Sequence, residues 1–217
     1  MKNKKFFAAL GWLAAFALWT VAVQNIDVQP IGPEGSSVGF ATLNGFVHRI
    51  TGVHMELYTI TDWLGLVPIF VALMFALLGL GQWIRRKSIC RVDSSILVLG
   101  GFYGLTAAAF VFFECFVVNY RPVLISGCLE ASYPSSTTLL VLCVMPTAMM
   151  QLHGRIRNSV VRNWVMAAIA AFIVFMVAGR LISGVHWLTD IVGGILLSAG
   201  LVMLYHFAVK QFEEIEK

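Results

Sequence analysis

Six long apolar runs alternate with short polar connections along this chain. They fall at about 6–23, 63–83, 94–117, 135–152, 163–181 and 187–208. Each is close to the ~20 residues that an α-helix needs to cross a bilayer. The pattern predicts an all-α integral membrane protein of six transmembrane helices, with residues 1–217 forming a single membrane domain. The first run follows Met1–Lys5 as the core of a signal peptide would, but Phe6 to Val23 is longer than such a core and no small-x-small cleavage site follows cleanly. It reads as a retained membrane helix. Only the connection 24–62 is long. It contains Pro30, Pro33 and Gly35-Ser36-Ser37, then an amphipathic stretch around Phe40–Leu57. That stretch is expected to lie on the membrane surface or to cap the bundle.

Composition agrees with the pattern. Of 217 residues 59% are hydrophobic and only 12% charged, whereas a soluble domain is roughly a quarter charged. The net charge of +4 does not point to nucleic acid, because the basic residues lie at the ends of the apolar runs. With the N-terminus inside, the inner segments hold Lys2, Lys4, Lys5, Arg85, Arg86, Lys87, Arg91, Arg155, Arg157, Arg162, Lys210 and Lys217, all but three of the 15 basic residues. The positive-inside rule then predicts N-in and C-in. The three exceptions are Arg49, Arg121 and Arg180. Cys90, Cys115, Cys128 and Cys143 have no metal-type spacing; Cys115 and Cys128 share the outer side, but small buried hydrophobes are the simpler expectation.

Ionisable residues at a membrane boundary are costly and usually functional. Three such pieces share the outer side: Glu114-Cys115-Phe116-Val117-Val118-Asn119-Tyr120-Arg121-Pro122, Tyr133-Pro134-Ser135-Ser136-Thr137-Thr138, and Arg180 to Asp190. Pro134 and Ser135 open a helix whose free N–H groups would face an anion. His186 and Asp190 are four apart, on one face of a helical segment. A carboxylate accepting from one imidazole nitrogen would orient the ring and free the other nitrogen to attack.

Together these pieces resemble the type-2 phosphatidic acid phosphatase family, membrane lipid phosphatases related to vanadium haloperoxidases. Its signature is Lys-x6-Arg-Pro, then Pro-Ser-Gly-His, then Ser-Arg-x5-His-x3-Asp. Arg180, His186 and Asp190 match the third motif in register, Arg121 and Pro122 the first, and Pro134 and Ser135 the second. The resemblance implies a lipid-phosphatase-like bundle that hydrolyses a phosphate or diphosphate group of a lipid; the Lys and Arg distribution turns the site to the extracytoplasmic face, which in a bacterial cell lies beyond the cytoplasmic membrane. The resemblance also implies His186 as nucleophile, forming a phosphohistidine, with Asp190 holding its ring. Arg121 and Arg180 would grip the phosphoryl oxygens and Ser135 would donate a further hydrogen bond. The partners implied are the lipid substrate and membrane lipids, with no nucleic acid. No metal cofactor is implied, because the arginines take over charge neutralisation.

Two positions depart from the signature. Glu114 stands where the first motif has lysine, and Thr137 where the second has histidine. That histidine protonates the leaving group in the family, and a threonine hydroxyl holds its proton too tightly to do so at pH 7. General acid catalysis contributes about 10²–10⁴-fold. Its absence would favour a lipid diphosphate, whose leaving group is itself a phosphate. Glu114, desolvated at the bilayer edge, is an alternative proton source, or a salt-bridge partner that orders Arg121 or Arg180. Ser136 shares this altered stretch. A protein that binds lipid phosphate without hydrolysing it is the second reading. A transporter is the third, disfavoured because the ionisable residues gather at one face rather than the midplane. Simpler roles are open at several positions: a helix N-cap for Ser135, helix packing for Thr137 and Thr138, a surface location for His48, His54 and Glu56, and interface anchoring for Trp83, Trp164 and Trp187.

Overall fold

A computed structural model of the chain describes residues 2–215, with side chains over 4–212. Lys217 and the side chain of Lys2, both assigned to the inner side, lie outside them. Eight α-helices follow in order: α1 Lys2–Asn25, α2 Ala41–Thr51, α3 Met55–Leu64, α4 Leu66–Arg86, α5 Ser94–Cys115, α6 Ser136–Arg155, α7 Ser159–Ile182 and α8 Leu188–Ile215. Only isolated β-bridges accompany them among the described residues. Among the described residues, six segments are long and apolar enough to cross a membrane, one of them made of α3 and α4 in continuation over Met55–Arg86.

The centre of the bundle is α8, which packs on α1, α2, α5, α6 and α7. Phe16 and Val23 of α1, Phe102 of α5, Leu139 of α6, and Leu197 and Leu201 of α8 form one buried cluster. In lipid the drive for such contacts is close packing rather than release of water. Polar groups inside the bundle find partners, as an apolar surrounding demands. The Trp19 indole donates to the Thr189 carbonyl at 3.2 Å, and the Thr20 and Tyr133 hydroxyls meet at 2.7 Å.

The long connection supplies two helices. As expected of a capping segment, α2 covers the start of α8: the Asn44 amide donates to Thr189 Oγ1 at 2.9 Å, and its oxygen accepts from Thr189 N at 3.2 Å. Because α3 begins at Met55, helix starts eight residues before the apolar run at 63. Residues 55–62 carry Glu56, Thr59, Thr61 and Asp62 and look like a loop by hydropathy alone. They are helical because one face packs on α7. Thr61 is fully buried, and a Cβ at Gly179 would come within 2.8 Å of Thr61 Cγ2. That close approach sets Asp62, one residue on, beside Arg180.

The turn between α7 and α8 is pinned in the same way. His54 N donates to the Ser183 carbonyl at 3.0 Å. Gly184 has φ of +69°, and a Cβ there would lie 1.9 Å from the Gly52 carbonyl oxygen. Glycine is therefore required twice at this position, by backbone conformation and by space. Cys115 and Cys128 are unbonded and both are exposed, so the expectation of small buried hydrophobes fails at both. Trp187 is buried and donates its indole N–H to the Tyr120 carbonyl at 2.8 Å; it braces the α5–α6 loop rather than anchoring at the membrane interface.

Gly184→Ala is expected to destabilise the protein by at least about 2 kcal/mol, from a strained backbone together with a steric clash. Thermal unfolding in detergent tests this, with Gly11→Ala as the comparison, since a Cβ there meets nothing within 4 Å.

Candidate active site

Two loops and one helix start converge at one end of the bundle. The first loop joins α5 to α6 and folds back on itself. Ser126 and Gly127 at its tip both have positive φ, the conformation that reverses a chain tightly. The Ile125 and Cys128 amides and carbonyls pair across it, Arg121 N bonds to the Glu130 carbonyl at 3.1 Å, and Ser132 N bonds to the Asn119 carbonyl at 2.9 Å. This pairing puts Arg121 opposite Glu130 and Asn119 opposite Ser132. The second loop, 183–187, joins α7 to α8.

Asp190 lies in the first turn of α8 and is fully buried. Its carboxylate accepts from three places. Ser132 Oγ donates to Oδ2 at 2.5 Å, Trp187 N donates to Oδ2 at 2.8 Å, and Asn119 Nδ2 donates to Oδ1 at 3.3 Å. Its backbone carbonyl also accepts from Ser135 N at 3.1 Å. His186 does not reach the carboxylate directly, since Nδ1 is 3.8 Å from Oδ2. Ser132 stands between them, with its oxygen 3.0 Å from His186 Nδ1. A hydroxyl has one proton, and that proton goes to Asp190, so the oxygen accepts from an Nδ1–H. The expected hold of Asp190 on the ring is thus relayed through a serine. The tautomer follows: Nδ1 is protonated and Nε2 keeps its lone pair.

Nε2 faces Arg180, whose NH2 lies 3.1 Å away. Burial, with the charges of Arg180 and Arg121 adding to it, holds His186 well below the usual histidine range. Both causes penalise the imidazolium, so the ring stays neutral and nucleophilic in mildly acidic solution.

The two arginines share one place. Arg180 is 1% exposed and Arg121 is buried too. The Tyr58 ring lies 5.0 Å from the Arg180 guanidinium carbon and 5.9 Å from that of Arg121. Carboxylates stand at the rim: Asp62 Oδ1 is 3.6 Å from Arg180 NH1, and Glu130 Oε2 is 3.1 Å from Arg121 Nε. Neither contact has hydrogen-bond alignment. Nε and NH1 of both arginines are buried with no hydrogen-bond acceptor. Buried N–H groups are almost always bonded, and here four nitrogens on two cations are not.

Of the residues singled out in the sequence, His186, Asp190, Arg180 and Arg121 meet here. Ser135 is fully buried; its hydroxyl accepts from Thr138 at 3.0 Å and its backbone ties the start of α6 to Asp190. Ser136 and Thr137 line an apolar groove of about 510 Å³ that also takes in Asp62, Leu66, Ile69, Phe110, Leu140 and Val144. Glu114 is exposed and lines a small depression beside Ser132 and Ser136. It does not order the arginines; Asp62 and Glu130 hold those places. The sequence reading missed Ser132, Asn119, Tyr58, Asp62 and Glu130. Asn119 lies inside the first quoted stretch and Ser132 just before the second, so both were readable as polar neighbours. Tyr58 and Asp62 had no signal, since their role depends on how α3 packs on α7.

A profile of the PAP2 superfamily matches residues 99–213. The chain belongs to the PAP2 superfamily. This PAP2 chain also shares its fold with the "first transmembrane PAP2 type phosphatidylglycerolphosphate phosphatase from Bacillus subtilis", at a TM-score of 0.65 and 18% identity over 96% of this chain and 97% of that one. No curated protein matches it. The shared transmembrane fold and the six apolar segments support a multi-pass membrane protein.

The neutral imidazole and its serine relay are both open to nuclear magnetic resonance. In protein labelled with ¹⁵N-histidine, the His186 signals should show an Nδ1–H tautomer that does not protonate on acidification from pH 7 to about 5.5, where a free histidine near 6.5 is mostly charged. Assignment is by loss of the signal in His186→Ala.

Proposed function

We propose that this PAP2 protein is a lipid phosphatase that hydrolyses a phosphate or diphosphate group at the extracytoplasmic face through a phosphohistidine on His186. The carrying observation is the pair of buried guanidinium groups with four unsatisfied nitrogens beside His186, whose unprotonated Nε2 lies 3.1 Å from Arg180 NH2. Planar guanidinium forks suit phosphoryl oxygens, and fixed positive charge aimed at a transferring phosphoryl group is the main catalytic term in such chemistry. Superfamily membership and fold support the same class.

Two further features favour a lipid over a soluble ester. The groove begins at Asp62, against Arg180, and continues between apolar side chains to Val144. From Thr137 to Val144 it follows two turns of α6, about 10 Å, a length that suits the first part of a hydrocarbon chain. It shares Ile69, Ala72 and Tyr103 with a second apolar slot between α4 and α5. The distribution of Lys and Arg supports N-in and C-in, which turns the site outward. Thr137 at the head of the groove supports preference for a diphosphate, whose phosphate leaving group departs without a proton.

In the first step His186 Nε2 attacks phosphorus, the bond to the leaving oxygen breaks, and Ser132 and Asp190 stabilise the cationic ring. Wild-type protein in lipid–detergent micelles should release phosphate from a polyprenyl or diacylglycerol diphosphate faster than from the matching monophosphate, and His186→Ala should release none above background. Arg180→Lys should lower kcat about 10²–10³-fold, the cost of one well-placed transition-state donor. Vanadate should inhibit. Phosphate release unchanged in His186→Ala would remove the proposed nucleophile, and saturable lipid-phosphate binding without release would favour a binding protein.

A further inference from the structure

A phosphohistidine must be resolved by water, and the water needs a base. In the functional reading above, on which this inference rests, Thr137 has no basicity to offer. From the positions of the side chains around the anion site we infer that Asp62 is the general base for this second step.

Its place is set by the fold. The contact between Thr61 and Gly179 locks α3 against α7, and the next residue on each helix forms the pair Asp62–Arg180, 3.6 Å apart. One guanidinium group therefore touches both participants: NH2 meets His186 Nε2 and NH1 faces Asp62. Asp62 also shares the groove wall with Thr137, so it borders the path by which the leaving group departs and water enters. The side chain is 58% exposed and accessible to solvent, while His186 is buried. Asp190 is fully buried, already accepts from three donors and lies behind the ring on the Nδ1 side. Glu114 makes no ion pair with either arginine and faces another depression. Glu130 is the competing carboxylate, but it pairs with Arg121, not with the arginine that touches Nε2.

The step balances. A water oxygen bonds to phosphorus, the P–Nε2 bond breaks, its electron pair returns to Nε2, and the water proton passes to the Asp62 carboxylate. Inorganic phosphate leaves, and Asp62 returns the proton to solvent through the groove mouth. Arg180 stays on the phosphoryl oxygens throughout. Asp62 thus acts only after the lipid has departed, and a variant without it should separate the two steps.

The test is rapid-mix kinetics on purified full-length protein with a radiolabelled lipid diphosphate, comparing wild type, Asp62→Asn, Glu130→Gln and His186→Ala. Asp62→Asn should give a burst of about one leaving group per site at near wild-type rate, then turnover slowed about 10²-fold or more, the range lost with a general base. An acid-labile, base-stable phosphoprotein should accumulate, and Asp62→Glu should restore part of the turnover. Wild-type turnover in Asp62→Asn, an intermediate trapped by Glu130→Gln instead, or loss of the burst itself would each overturn the role of Asp62 while leaving the lipid phosphatase standing. Equal activity in wild type and His186→Ala would overturn both. Vanadate binding and thermal unfolding of Asp62→Asn check that its site is formed.

Discussion

The site is organised around one buried carboxylate. Asp190 receives Ser132 and Asn119 from the α5–α6 loop and Trp187 from the α7–α8 turn, and its carbonyl receives the first amide before α6. An ion removed from water must recover its lost hydration from fixed donors. That demand gathers three separated stretches of chain at the start of α8. The same donors also carry orientation outward. Because Ser132 spends its proton on Asp190, it can only accept from His186, and the ring is left with its basic nitrogen toward the arginines. A structural need and a chemical one are met by a single proton placement.

Arg121 and Arg180 are in the opposite condition. They too are buried, yet Nε and NH1 of each have no hydrogen-bond acceptor, with Tyr58 as a π surface near both and carboxylates only at the rim. Folding does not favour unpaired buried cations, so the contrast with Asp190 is informative. One charge receives three donors from the protein, and two keep nitrogens without acceptors. The close approaches of Gly184 to Gly52 and of Gly179 to Thr61 hold the arginine-bearing helix against the α2–α3 segment.

Much of this was legible in the sequence, and the reasons for the rest are physical. Bilayer-length apolar runs specify membrane helices directly, since backbone groups in lipid have no other way to be satisfied. Arg180, His186 and Asp190 were legible because a fixed spacing on adjoining turns carries the geometry with it. Ser132 was hidden for a different reason. A serine beside a tyrosine and a proline has many ordinary uses, and its position between His186 and Asp190 exists only once the α5–α6 loop has folded back at Ser126 and Gly127. Asp62 was the least visible. It lies 118 positions before Arg180, in a stretch whose hydropathy suggests a loop, and helix packing alone brings the two together.

The charge balance of the site bears on what it accepts. Two guanidinium groups face two rim carboxylates, Asp62 and Glu130, each near its arginine without aligned hydrogen bonds. Half-exposed ion pairs of this kind hold weakly. A phosphoryl dianion offers both arginines several oxygens at once and can complete the bonds that the carboxylates leave unmade. A singly charged carboxylate or sulfate ester offers less charge for the same displacement and gains less. Under the proposed function, the bonds left unmade at the arginines favour a phosphoryl dianion over a singly charged ester. Under that proposal, Glu114 in place of a cation and Thr137 in place of an imidazole leave the two guanidinium groups as the fixed positive charge that an incoming phosphoryl group would meet.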